Sequence, residues 1–348
     1  MAISAQSIHV PHLGWIDYPL KDHVASMIYR GHFETNEQAF LWLYLRKGDY
    51  CIDAGAHVGF YSFLCGKITG EKGKVYAFEA DKNTRKLWHK NAKKNHKMSA
   101  KMFAFGLWDS NANLLINQEG DSLTAYNNLV VPKNRKQNLN SMVKVRTLDS
   151  IKEIHSVKSL AFLKIDCEGS EGKVLKGASK LLHNQPDLVA MIEFNEQNLN
   201  RYEETTLSLW KQVEELGLKL YRLNEDSLLL QQANYEGEIW YENLFATANI
   251  EHVNMRMESV SNDNRKIAID IIQRGKECNL FKELEHLETY KSQAQLSDSF
   301  KTWAESSEKL LSDDRKRLEK IEIAYDKKCS QYSALESKLE LSSKEKEE

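Results

Sequence analysis

Apolar residues in this 348-residue chain fall into short blocks with two alternating spacings. Compact runs at 50–54, 74–79, 102–107, 160–166, 188–194, 219–223 and 243–248 predict buried strands. Between them, 58–68, 82–95, 171–183 and 205–216 predict helices. Strand and helix alternate, which builds a mostly parallel sheet covered by helices on both faces. Ahead of the first strand, Ala39, Phe40, Leu43 and Tyr44 recur at helical spacing and predict a helix between Val24 and Arg46. Residues 1 to about 22, with Pro11, Gly14 and Pro19, read as an irregular arm. The segment 110–146 breaks the rhythm with Asn111, Asn113, Gly120 and Asp121, and fits an antiparallel insert over the sheet's C-terminal edge.

The pattern changes after about residue 250. From Asn262 to the end there are 17 basic and 19 acidic residues among 87, the mix of a long solvated helix. Leu311, Leu318, Tyr325, Tyr332 and Leu339 fall seven apart, a weak heptad interrupted by Asp314 and Lys328. A coiled coil that joins copies of the chain is therefore expected. The division predicted is an N-terminal arm and helix over 1–47, a main domain over 48–250 and a helical extension over 251–348.

Composition narrows the partners. The formal net charge of −2 gives no reason to expect nucleic acid. Cys51, Cys65, Cys167, Cys278 and Cys329 show no paired or metal-ligand spacing, so they read as reduced thiols of a cytoplasmic protein. No signal peptide is expected at Met1–Val10, and no run of 18 apolar residues suggests a membrane span.

Candidate chemistry starts at Asp53-Ala-Gly-Ala-His-Val-Gly59, between the first strand and its helix. Gly55 and Gly59 let the backbone approach a ligand, and Glu79, ending the second strand, can grip the two hydroxyls of a ribose. The spacing is not that of a dinucleotide fingerprint, and Asp53 would repel a pyrophosphate. A ribose-bearing ligand with a positive centre fits, which describes S-adenosylmethionine. Further along, the apolar run Phe162-Leu163-Lys164-Ile165 delivers Asp166, Glu168 and Glu171 to a strand end, where open α/β sheets place ligands. Ser170 and Glu171 can cap the following helix.

These stretches, with Phe78-Glu79-Ala80-Asp81, Thr147-Leu148-Asp149, Leu175-Lys176-Gly177-Ala178, Ile192-Glu193-Phe194 and His32-Phe33-Glu34 followed by Glu37, resemble the FkbM-type family of S-adenosylmethionine-dependent methyltransferases. The resemblance spans about residues 30 to 250. It implies a class I methyltransferase fold with a seven-stranded, mostly parallel sheet. It places the donor at Asp53, Gly55, His57, Gly59, Glu79, Ala80 and Asp166, with Asp109 a candidate for the adenine amino group. Tyr61 and Ser62 are candidates to touch the donor and are equally suited to packing and capping. Two positions depart from the family's pattern: His57 stands where asparagine is usual, and Asn195 where a histidine often follows the Glu-Phe pair.

The implied reaction is O-methylation of a hydroxyl on a sugar, glycan or glycosylated metabolite. Asp166 is the first candidate for general base, with Glu168, Glu193 and His57 behind it. A polyketide, lipid or peptide acceptor is the alternative, as is a scaffold that acts through its coiled coil. Asp166 with Glu193 or Asn195 begins an oxygen-rich magnesium site, but no third ligand is evident and no metal is assigned. Trp108, Trp210 and Trp240 read as core or rim residues, and Ser122 resembles a position in the family's insert.

Overall fold

The computed structural model describes residues 5–19, 23–95, 98–117, 128–130, 142–155, 157, 160–185 and 187–277. Met1–Gly275 form one compact unit. The second unit, Lys276–Glu348, falls almost wholly outside the described residues, as do the expected coiled coil, Ser122, Cys278 and Cys329.

In chain order the elements are β1 (Ala5–Val10), β2 (Gly14–Pro19), α1 (His23–Arg30), α2 (Thr35–Tyr44), β3 (Tyr50–Ala54), α3 (Phe60–Thr69), β4 (Lys74–Phe78), α4 (Lys82–Lys94) and β5 (Ala100–Phe103). Then come β6 (Gly106–Leu107), β7 (Ala112–Asn117), β8 (Asn128–Val130), β9 (Met142–Arg146), α5 (Lys152–His155), β10 (Leu160–Ile165), α6 (Glu171–Gly177), α7 (Ser179–Asn184) and β11 (Val189–Phe194). The unit closes with α8 (Glu196–Leu199), α9 (Thr206–Glu215), β12 (Lys219–Asn224), β13 (Leu229–Gln232), β14 (Glu242–Thr247) and α10 (Ile250–Glu258). A last helix, α11, covers residues 262–277.

The main sheet has the order β13-β12-β14-β11-β10-β3-β4-β5. From β11 to β5 the strands are parallel, and β12, β13 and β14 are antiparallel additions at one side. Side chains alternate along each strand, so the two faces feed two cores. Cys51, Val75, Ala77, Phe162 and Met191 join α2, α3 and α4 in one, through residues such as Phe40, Tyr44, Phe63 and Trp88. Ile52, Phe78, Leu163, Ile165 and Ile192 join α6, α7 and α9 in the other, through Val174, Leu181, Leu209 and Val213. Each such side chain, fully buried, contributes about 1.5–3 kcal/mol.

Several expectations need correction. The sheet has eight strands, not seven: the extra one, β13, pairs with β12. Its turn is made by the Asn224 carboxamide oxygen, which accepts from the backbone N–H of Asp226 and Ser227. The expected strand over 102–107 is divided, with β5 in the main sheet and β6 beside β9 in a four-stranded sheet, β6-β9-β7-β8. The expected insert supplies β7, β8 and β9, with β7 antiparallel to both others, while β6, which precedes the insert, adds to β9 in parallel. The helix expected over 171–183 is two, because Asp149 accepts from the N–H groups of Lys180 and Leu181 and so caps a fresh helix start. Gly31, at φ +78, and Glu34, at φ +44, likewise divide the N-terminal helix into α1 and α2.

Nor is the N-terminus an irregular arm. β1 and β2 form a hairpin around Pro11–Leu13, with Ile8, Val10, Ile16 and Tyr18 buried. Asn91 of α4 fastens it: its side-chain oxygen accepts from Asp17 N–H, and its amide donates to the carbonyls of Asp17 and Val58. The compact unit also extends past residue 250, since Val253, Met257, Val260, Ala268, Ile271 and Ile272 are buried in the first core.

Candidate active site

The parallel strands β3, β4, β10 and β11 end at one rim, and the rim opens into a cavity of about 460 Å³. Glu34, Asp53, Glu79, Asp166, Glu168 and Glu193 line it, with His57 and the Lys164 ammonium. Register explains the gathering. Lys164 pairs with Asp53 across β10 and β3, and Ile165 pairs with Ile192, which sets Asp166 beside Glu193 one residue on.

Asp53 is 2% exposed, and its Oδ2 accepts from Ser62 Oγ at 2.5 Å, while Trp88 Nε1 donates to the same Ser62 oxygen. Its Oδ1 is buried with no hydrogen-bond partner. Burial raises the Asp53 carboxyl above its ordinary value, and the Lys164 charge opposes that. Ser62, fully buried, therefore positions Asp53 and does not line the cavity.

The two glycines have different reasons from those expected. A Cβ on Gly55, at φ +77, would lie 1.8 Å from the Asp166 carbonyl oxygen, so its absence lets the two strand ends meet. A Cβ on Gly59, at φ +101, would lie 2.2 Å from the Phe63 ring. Gly55 lines the cavity; Gly59 does not, and serves the turn and the packing of α3.

Glu79 uses both oxygens to shape the loop, Oε2 accepting from His57 N–H at 2.9 Å and Oε1 from Asp81 N–H at 2.7 Å. Burial pushes its carboxyl up to about 7, against those two hydrogen bonds. Each oxygen keeps lone-pair capacity toward the cavity. His57 sits at φ +48, a region asparagine and histidine tolerate better than most residues. Its Nδ1 lies 3.1 Å from the Tyr18 hydroxyl, and burial lowers its pKa to about 4, leaving a neutral imidazole at neutral pH.

Lys164 is 4% exposed and donates to Asp166 Oδ2 at 2.8 Å. Burial opposes its charge, but Asp166, Asp53 and Glu34 outweigh that and hold the ammonium well above its ordinary value. Glu168 Oε2 accepts from Asn198 Nδ2 at 2.9 Å. Glu171 Oε1 accepts from the N–H groups of Cys167 and Gly169, and Ser170 Oγ donates to the Cys167 carbonyl, so both side chains close the turn into α6 although Ser170 makes no cap bond to the helix. Glu193 is 6% exposed, with Oε2 buried and unpartnered. Burial, then the Asp166 charge, raises the carboxyls of Glu168 and Glu193 well above the usual range.

Other sequence candidates divide. Ala80 and Tyr61 line the cavity, and the Tyr61 hydroxyl donates to Glu34. Asp109 does not line it: its carboxylate accepts from Ser110 Oγ and lies 3.8 Å from Lys173 Nζ. Asn195 lines the wall but spends its side-chain oxygen capping α8, accepting from Asn198 N–H. Trp108 and Trp210 are buried, whereas Trp240 is 71% exposed at the cavity beside Tyr241. Sequence reading missed the parts played by Lys164, Tyr18 and Tyr241. The signal for Lys164 was its place within an otherwise apolar buried strand. Tyr241 donates to Glu34 Oε1 at 2.9 Å, as Asn243 does at 3.1 Å, and neither contact leaves a local trace in sequence.

The family model for the methyltransferase FkbM domain matches residues 53–220, the stretch from Asp53 to the start of β12. No curated protein is significantly similar to the sequence. Among solved structures, the methyltransferase FkbM from Methylobacillus flagellatus KT shares 14% identity at a TM-score of 0.37, over 65% of this chain and 55% of that one. This chain thus spans little more than half of that protein's length. A SAM-dependent methyltransferase from Aquifex aeolicus shares 15% identity at a TM-score of 0.36, over 65% of this chain and 94% of that one. Outside the matched segment, the residues that reach the cavity are Tyr18, Val24, Met27, Phe33 and Glu34 before it and Trp240 and Tyr241 after it.

Proposed function

We propose that the chain is an S-adenosylmethionine-dependent O-methyltransferase acting on a hydroxyl of a sugar, glycan or glycosylated metabolite. The observation that carries this reading is the convergence of Asp53, Glu79 and Asp166 on one cavity. The residues fit the donor. The unpartnered Asp53 Oδ1 suits its ammonium group, Glu79 suits the ribose hydroxyls, and an acidic wall suits a sulfonium. The cavity is within the roughly 300–1,000 Å³ of ligand pockets. Once bound, S-adenosylmethionine supplies a methyl group already activated by its positive sulfur.

The protein's own work is placement, exclusion of water and removal of one proton. Placement alone can lower a barrier by roughly 7–11 kcal/mol. A hydroxyl attacks only as its proton leaves. Asp166, paired with Lys164 and partly exposed, accepts that proton, since Glu193 is buried, Glu168 is engaged by Asn198 and His57 is turned to Tyr18. The exposed Trp240 ring at the mouth suits the apolar face of a sugar.

Calorimetry and labelled-methyl transfer test this. Wild-type chain should bind S-adenosylmethionine, and Asp166→Asn should keep that affinity within a few fold while losing roughly 10²–10⁴ in turnover. No heat at high donor concentration would overturn the reading, and normal turnover by Asp166→Asn would leave that residue a binding role only.

A further inference from the structure

Three carboxylates meet at the ends of β10 and β11 and the start of α6. Asp166, Glu171 and Glu193 each offer an oxygen within 4.8 Å of the others. Ligands on opposite sides of a Ca2+ ion, bound at about 2.3–2.6 Å, stand about 4.6–5.2 Å apart. The spread of these oxygens therefore fits one shared ion.

A second observation points the same way. Glu193 is 6% exposed, its Oε2 has no hydrogen-bond donor, and the strand register aims it at Asp166. A buried carboxylate oxygen left without a partner is costly. Glu171, 1% exposed, is fixed in place by Cys167 and Gly169 N–H, a rigidity that suits a ligand. Glu171 is also the third ligand that sequence alone did not reveal, while Asn195 is occupied as a helix cap. Lys164 donates to Asp166 and its charge also reaches Asp53, Glu34 and Glu168, so among the described lining residues one ammonium is shared by six carboxyl groups.

We propose that Asp166, Glu171 and Glu193 bind one hard divalent cation of Mn2+ or Ca2+ size. An all-oxygen ligand set selects such ions over zinc. The ion's remaining positions face the cavity, which Asp166 and Glu193 line, and take water or an acceptor oxygen.

The test is Mn2+ titration of the full chain after chelator treatment, without donor or acceptor, read from the resonance of free Mn2+. One saturable site, displaced by Ca2+, is expected, with affinity lower by about tenfold or more in Glu193→Gln. Thermal melting guards against a folding artefact: without metal, Glu193→Gln should melt no lower than wild type, because a neutral amide of the same shape replaces a buried carboxyl whose Oε2 has no hydrogen-bond donor to lose. Added Mn2+ should raise the wild-type melting temperature and leave that of the variant nearly unmoved. Should Glu193→Gln not fold, Asp166→Asn takes its place. Absence of saturable binding below about 1 mM, the weak end of oxygen-ligated sites, overturns the proposal, as does equal affinity in the variant. Either result leaves donor binding untouched.

Discussion

Asp53 and Glu79 perform different tasks with the same functional group. Asp53 is locked from behind by Ser62 and Trp88 and presents a bare oxygen, whereas Glu79 holds two backbone N–H groups and presents what capacity remains. Asp53→Ala and Glu79→Ala should each weaken donor binding by about 1.5–3 kcal/mol, the worth of a hydrogen bond to a charged group, measurable by calorimetry. Glu79 also ties stability to pH. Its folded-state value, about 7, lies above the ordinary 4.5, so the stability its protonated form gives is full below 4.5 and lost as pH rises through 7. The unliganded chain should melt lower at pH 8 than at pH 5, and Glu79→Gln should remove at most about 3 kcal/mol of that fall. Trp240 makes a contrasting case. Being exposed, its replacement by Ala should move stability by no more than about 0.5 kcal/mol while raising KM for the acceptor. Asp53, Glu79 and Asp166 were legible in sequence because strand ends followed by turns announce themselves locally. The contacts of Glu34 with Tyr241 and Asn243 were not, since they join residues more than 200 positions apart.

At the scale of elements, the turn after β3 is a packing device as much as a binding loop. Gly59→Ala would press a methyl group into the Phe63 ring at a backbone angle alanine resists. A loss of roughly 2–4 kcal/mol in denaturant unfolding is expected from strain and overpacking together. The central strands β3, β4, β10, β11 and β14 were readable because buried strands are continuous apolar runs. β13 was not, since Leu229-Leu230-Gln231-Gln232 is short and lacks alternation, and only the Asn224 turn folds it back. The hairpin of β1 and β2 was misread for a related reason: Pro11 and Gly14 mark its turn, yet taken as breakers they hide the alternation of Ile8 and Val10 with His9.

For the whole molecule, the decisive boundary lies near residue 275, beyond the limit drawn from composition. α11 is highly charged on its outer side, yet it buries Ala268, Ile271 and Ile272 and is joined to the hairpin turn by His12, 2.8 Å from Asp270. A chain ending at residue 277 should therefore keep the melting temperature of the domain, and one ending near 255 should lose several kcal/mol, at about 1.5–3 per exposed large side chain. In sedimentation, the full chain should run as an oligomer and the chain ending at 277 as a monomer if the heptad-bearing segment joins copies. Seven cavity residues belong to stretches on either side of the family segment. On the function proposed above, the labour would be split along the polypeptide: the middle would grip the methyl source, and the flanks, Tyr18 to Glu34 and Trp240 to Tyr241, would choose what receives it. Grafting those flanks from a relative should then redirect methyl transfer to another recipient, with donor affinity by calorimetry unchanged.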